Sequence, residues 1–272
     1  MLHRRLRLAC PACACLVLVT AACGTPGSPN HTTTRTARYE VGGPVRSVVV
    51  DGAAGDVRVG RTESASVVVT ETKRFGSAEP VTEHTLTDAT LTLRQTVHDG
   101  ARVSYEVAVP RGVAVEAVTS SGRITLVGLS GDVSAHTTGG SIEGRELTAG
   151  TVTAKADEDT IDLSFASPPA RVDADGDTAR VRLPAGVGYV VDATSNRGAV
   201  RVEVPQDAAA PYHVRVHTRS GDASVLRASR APAPDGASVG RPGAPAPPRG
   251  TEGEHEMDAA AGGGRTRACT PM

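Results

Sequence analysis

Three groups of side chains have types and spacings suited to chemistry. The first is cysteine: Cys10, Cys13, Cys15 and Cys23 fall within the stretch LACPACACLVLVTAAC. A C-x-x-C-x-C run brings soft thiolates to the spacing that closes around zinc or an iron–sulfur cluster. The second group is carboxylate. Asp173-Ala174-Asp175-Gly176-Asp177 begins like a calcium-binding loop, and Asp157-Glu158-Asp159 precedes it by about one repeat. The glycine comes too early for an EF-hand, and Pro184 holds the twelfth place, where a bidentate acid is needed. Stacked on one another, Asp157, Asp159, Asp175 and Asp177 would repel unless a cation or water separated them. Calcium is the candidate cation; the alternative is two solvated acidic turns, and no other cofactor is implied. The third group is imidazole. His213 and His217 lie four apart in YHVRVH, on one face of a strand, as a zinc pair or as two exposed histidines. His84, His98 and His136 are scattered. No G-x-S-x-G nucleophile elbow occurs, since Gly140-Ser141-Ile142-Glu143-Gly144 has its glycine one place late. No catalytic residue is assigned. A sugar-cleaving enzyme on a β-helix would need paired acids and aromatic platforms, and the chain has no Trp, two Phe and four Tyr.

The elements around the cysteines decide their chemistry. Arg4, Arg5 and Arg7 stand upstream, an uncharged run extends from Leu8 to Ala22, and small residues end it. A basic start, an apolar centre and a small-residue end make a secretory signal. The run is shorter than the roughly 20 residues of a spanning helix. Val19-Thr20-Ala21-Ala22-Cys23-Gly24 resembles the lipobox of bacterial lipoproteins, with Thr20 where Leu or Val is usual. The resemblance implies cleavage before Cys23, lipid attachment at Cys23, and a protein held on the cell membrane facing outside the cytoplasm. Two or more acyl chains anchor stably, whereas one does not. Cleavage to a freely secreted protein is the alternative. On either path Cys10, Cys13 and Cys15 leave with the signal, and Cys269 remains near the C-terminus to pair between chains or stay free.

Residues 23–37 read as a Gly/Pro/Ser/Thr linker and 228–272 as a disordered tail rich in Pro, Gly and Ala. Between them, 38–227 reads as the folded domain. Net charge is −1, and no basic stripe points to nucleic acid. Short β-branched residues replace aromatics, which suits thin layers of strands. Alternation with a period of two dominates, as in Val103–Val109 and Val200–Val204. Asp99-Gly100 predicts a hairpin between Leu91–Val97 and Val103–Val109.

From Ser120 the alternation becomes a repeat of roughly 19 residues. Ser121-Gly122-Arg123-Ile124 recurs as Gly140-Ser141-Ile142, Asp159-Thr160-Ile161, Asp177-Thr178-Ala179-Arg180-Val181 and Arg197-Gly198-Ala199-Val200. Gly131-Asp132-Val133, Gly150-Thr151-Val152, Arg171-Val172 and Gly188-Tyr189-Val190 interleave with them. The expected fold is all-β: a short-coil β-solenoid with two strands per repeat, preceded by an antiparallel β region. Ile124, Ile142, Ile161, Val181 and Val200 should form one buried ladder; Val133, Val152, Val172 and Val190 should form another. Gly55-Asp56-Val57 and Gly221-Asp222-Ala223 look like outlying copies of the corner.

These S-G-x-I/V, G-D-V and G-x-V corners, over Val45 to Val225, resemble a bacterial family of β-strand-repeat domains described as adhesins. The resemblance implies a β-solenoid-like fold, envelope association and no established catalytic residues. The expected function is a non-catalytic, lipid-anchored envelope module that binds an envelope protein or glycan, or senses the envelope. A structural spacer or assembly component without a specific ligand is the alternative, and a polysaccharide-acting enzyme a more distant one. A binder should show exposed side chains that break the repeat; a spacer should be uniformly polar.

Overall fold

The computed structural model describes residues 18–20, 32–96 and 100–228. Nearly all of the signal, Cys23, most of the linker, Asp99 and the tail with Cys269 lie outside the described residues. Every regular element within them is a strand. β1 (Leu18–Thr20) and β2 (Thr33–Val41) come first, and β2 begins inside the stretch read as linker. β3 (Ser47–Ala54) and β4 (Val57–Arg61) make a flattened coil. β5 (Val67–Phe75) and β6 (Val81–Thr87) flank it, and β7 (Thr90–Thr96) with β8 (Arg102–Val109) makes another coil. The run continues with β9 (Ala114–Ser121) and β10 (Ile124–Val127), β11 (Val133–Gly139) and β12 (Ile142–Leu147), and β13 (Thr151–Ala156) and β14 (Thr160–Phe165). Then come β15 (Arg171–Gly176) and β16 (Thr178–Leu183), β17 (Val190–Ser195) and β18 (Val200–Val202), and β19 (His213–Thr218) and β20 (Ala223–Arg227).

Each coil gives one strand to each of two facing sheets. One sheet runs β1-β2-β5-β8-β4-β10-β12-β14-β16-β20-β18, the other β17-β19-β15-β13-β11-β9-β3-β7-β6. Pairs between coils are parallel; β2, β5 and β6 add antiparallel strands at one end. The stack does not follow chain order. The β3–β4 coil sits between β7–β8 and β9–β10, and the β19–β20 coil sits between β15–β16 and β17–β18. Both outlying G-D corners therefore belong to internal coils.

The ladders are as expected in part. Val57, Ile124, Ile142 and Ile161 stack in register and are buried. Thr160 pairs with Thr178, however, so Ala179 takes the next rung and Val181 stands beside Leu163, one rung further in. Val200 pairs with Ala223 on the last strand and stays 47% exposed. In the facing sheet Val115, Val133, Val152, Val172 and Val214 align, followed by Val191 rather than Val190. A one-residue offset turns a side chain to the other face, and Val190 pairs instead with His213.

The Asp99-Gly100 hairpin is not formed. β7 and β8 lie in opposite sheets and make a coil, because the apolar faces of both (Leu91 and Leu93; Val103, Tyr105 and Val107) point into one core. The partner of β7 across a tight turn is β6, and Asp88 (φ 50°) and Ala89 (φ 61°) make the turn.

The G-D corner has a specific chemistry. A Cβ on Gly55 (φ 127°) would overlap the Val103 carbonyl of the neighbouring coil, and one on Gly131 the Val113 carbonyl; at the S-G and G-S corners a Cβ on Gly122 (φ 140°) would overlap the Gly55 carbonyl, and one on Gly140 the Gly122 carbonyl. The aspartate then accepts a backbone N–H from the adjoining coil: Asp56 from Arg123 (2.9 Å), Asp132 from Thr151 (3.2 Å) and Asp222 from Ala199 (2.9 Å). Buried Thr119, Thr137 and Thr218 donate to the carbonyls of Gly55, Gly122 and Gly221. Among the described residues one charged side chain is buried, Glu71 at the antiparallel end. It accepts hydrogen bonds from the Tyr39 hydroxyl (2.6 Å) and the Thr82 hydroxyl (2.9 Å), and so ties β2 and β6 to β5.

Candidate functional site

The acidic corners come together only in part. Asp159 and Asp177 stack, with the Asp177 N–H donating to the Asp159 carbonyl at 3.1 Å. Asp175 stacks on Lys155, not on Asp157. The side chains have protein partners. Asp159 accepts from the Thr160 N–H (2.7 Å) and hydroxyl (2.8 Å), and Asp177 accepts from the Ser220 hydroxyl. Asp157 lies beside the His136 ring at 3.2 Å and the cations Lys155 at 3.4 Å and Arg219 at 3.9 Å. The His136 hydrogen bond, helped by Lys155 and opposed by partial burial, holds the Asp157 carboxyl below its ordinary range. Among the described residues no group of three or more His, Cys, Asp or Glu is placed to hold a metal ion. His213 and His217 stand four positions apart along β19, roughly 13 Å, and His217 bonds the Thr194 hydroxyl.

The stack loses its regularity on the outer face of the first sheet. Between β12 and β14 the register runs Ile142 to Ile161 and Gly144 to Leu163, then Leu147 to Phe165. Three residues of β12 thus span two of β14, which is a β-bulge. Glu146 takes the strained conformation, with φ 53°. Packing explains the bulge: Gly144 faces inward, and a Cβ there would come within 2.8 Å of Leu147 Cδ1 and Leu163 Cδ2. The side chain of Leu147 uses that space, which requires the extra residue. Ser164 pins the loop, donating to the Gly144 carbonyl (3.2 Å) and accepting from the Glu146 N–H (3.4 Å).

Beside the bulge lies an open groove of about 440 Å³, lined by Glu143, Arg145, Asp162, Ser164, Arg182 and Ala228. Two rows of side chains cross it. Glu143, Asp162 and Arg180 stand side by side on β12, β14 and β16. In the next row Ser164 is flanked by Arg182 on β16 and, across the bulge, by Arg145 on β12. Arg145 bonds Glu143 through Nε (2.8 Å) and an Nη. Arg182 bonds Asp162, and Arg180 lies 3.6 Å from that same carboxylate. Bulges mark places where a strand re-aims side chains, and a strained non-glycine residue at such a place points toward function.

The sequence carried a signal for this site that the repeat reading passed over. Ile161, Leu163 and Phe165 keep the period of two, whereas Ile142, Gly144 and Leu147 slip by one residue. A glycine at a core rung followed by a late leucine marks the bulge.

No protein-family model matches the sequence, and no curated protein matches it. Solved structures similar to this chain include a "putative cell adhesion protein" from Clostridium sporogenes, at 11% identity and a TM-score of 0.45, covering 72% of this chain and 100% of that one. Another is a "putative adhesin" from Bacteroides fragilis, at 10% identity and a TM-score of 0.34, covering 72% of this chain and 97% of that one.

Proposed function

We propose that this protein is a non-catalytic, lipid-anchored module of the cell envelope that binds an envelope protein or glycan in the groove beside the β12 bulge. The observation that carries the binding reading is the groove beside the bulge. Packing of Leu147 accounts for the extra residue itself; what favours a binder over a uniform spacer is that the bulge opens a concave groove lined by charged side chains. The anchor rests on Cys23 and the sequence around it.

Two measurements test the two halves. Native protein and a Cys23→Ala variant are compared by mass and by partition between membrane and soluble fractions. A diacylglyceryl mass and membrane retention in the native form alone support the anchor; two soluble forms that differ only by signal cleavage remove it. Binding of purified envelope polymers is then compared between the native chain and an Arg145→Gln/Arg182→Gln variant. Equal binding by both removes the groove from the reading. Glu143 and Asp162 are neighbouring carboxylates, so the same polymers should be followed for chain scission. Turnover abolished by Glu143→Gln would replace the binding reading with an enzymatic one.

A further inference from the structure

We infer that the groove recognises an oxyanion, a carboxylate or a phosphate ester, gripped by Arg145 and Arg182 from the two sides of Ser164. This rests on the groove being the binding site. Arg145 and Arg182 stand on strands two apart in the sheet, a backbone separation of roughly 10 Å. Arg182 leans over β14 to Asp162, whereas Arg145 lies along β12 to Glu143; side chains of this length can close on one small anion between them, with charge-assisted hydrogen bonds of about 2.8 Å from each guanidinium.

The neighbouring acids orient the arginines without exhausting them. A guanidinium has five donors. Arg182 directs one nitrogen to Asp162, and its remaining nitrogens have no partner among the described residues. Arg145 holds Glu143 by Nε and one Nη, and its other Nη has no partner among the described residues. Arg180 also approaches Asp162. Arg145 and Arg182 balance Glu143 and Asp162 in the groove lining, and Arg180 beside Asp162 is matched by Glu146 in the bulge, so the pull on an anion comes from guanidinium donors left over rather than from net charge. Ser164 is committed to the bulge by its bonds to Gly144 and Glu146. It fixes the floor of the site, and recognition falls to the two guanidinium groups. Their exposure suits a ligand approaching from solvent: the side chains of Arg145 and Arg182 are 63% and 35% exposed.

The test is a titration of the full chain, observed through backbone amide and arginine Nε–H resonances. The probes are inorganic phosphate, an oligomer of galacturonic acid, and the fully methyl-esterified oligomer. The expected result is saturable shifts at Glu146, Ser164 and Arg182 with the acid oligomer, with phosphate or with both. The ester should cause none, and affinity should fall at least tenfold in Arg145→Gln/Arg182→Gln and with added salt. Whether the acid or phosphate binds tells which oxyanion is preferred. Acid and ester binding alike at these residues would overturn the anion inference and leave the groove as a binding site. If no probe moves these resonances, the inference also falls. The comparison of envelope-polymer binding between native and doubly substituted chains then decides the binding reading separately. Arg145→Lys/Arg182→Lys keeps charge but loses the planar fork, and partial retention of affinity there is expected for a charge-assisted site.

Discussion

Gly122 lies where the backbone of one coil rests against that of the next. Its φ of 140° and the Gly55 carbonyl next to it leave no room for a methyl group. Gly122→Ala should cost roughly 3 kcal/mol or more, read as a lower denaturant midpoint. Gly60, in β4, has nothing within 4 Å of where a Cβ would stand, so Gly60→Ala should be neutral or slightly stabilising. Titratable residues give two further tests. The folded-state carboxyl of Asp157 is depressed, chiefly by the hydrogen bond from His136. Its stabilisation is therefore complete above the ordinary carboxylate range and disappears as pH falls through the folded value. The stability difference between native protein and Asp157→Asn should be present at neutral pH and shrink toward zero in strong acid. The phenol of Tyr189 moves the other way: burial, then Tyr212, raises it from 10.0 to about 12. That stabilisation is complete below pH 10 and is lost as the pH rises toward 12. Tyr189→Phe removes the bond to the Pro184 carbonyl (2.9 Å), lowering stability at neutral pH but flattening the alkaline decline.

Turns and bulges show where pattern and packing part company. The β6–β7 turn places Asp88 and Ala89 at positive φ, where Asn-Gly would be usual. Ala89→Gly should stabilise the hairpin by about 1 kcal/mol, measured as a rise in midpoint. Glu146→Gly relieves the same kind of strain at the bulge, and a similar gain is expected. It should also weaken groove binding, because the loop that carries Arg145 becomes freer. The strands themselves were legible: alternation of period two and the G-D corners gave two strands per repeat and most of both ladders. That legibility has a physical cause, since each G-D corner contains a glycine required by close approach and an aspartate that caps a neighbouring N–H. The hairpin at Asp99-Gly100 was misread because alternation records which face is buried, not which strand supplies the partner. Val181 was placed one rung off because the ladder followed size, whereas register follows the Asp-Thr corner, and Ala179 fills the rung. The groove went unseen because it depends on Gly144 and Leu147 jointly, a slip visible only against neighbouring coils. Sequence repeats also carry no information on stacking order, which is fixed by contacts between coils remote in the chain.

At the scale of the whole domain, that stacking order is the main departure from a simple solenoid. Eight coils stack in the order β7–β8, β3–β4, β9–β10, β11–β12, β13–β14, β15–β16, β19–β20, β17–β18. Removing residues after 212 takes out the coil between β15–β16 and β17–β18, leaving Val172 and Val191 without Val214 between them. Such a truncation should broaden the unfolding transition and lower its midpoint by many degrees, whereas removal of residues 230–272 should leave it unchanged. The antiparallel end is exposed differently. β1 borders β2 within the stretch read as signal. If that stretch is cleaved, β2 becomes the sheet edge, with Arg35 and Arg38 as the charged residues that discourage pairing with a neighbour. The inserted coil also has a consequence in time. A ribosome makes β17 and β18 before β19 and β20, so the end coil emerges before the surface it will finally rest on exists. The stack can close only after residue 227 is free. Completion of the stack should therefore be a separate step from the growth of β17 and β18, and the chain stays open to insertion until β20 has emerged.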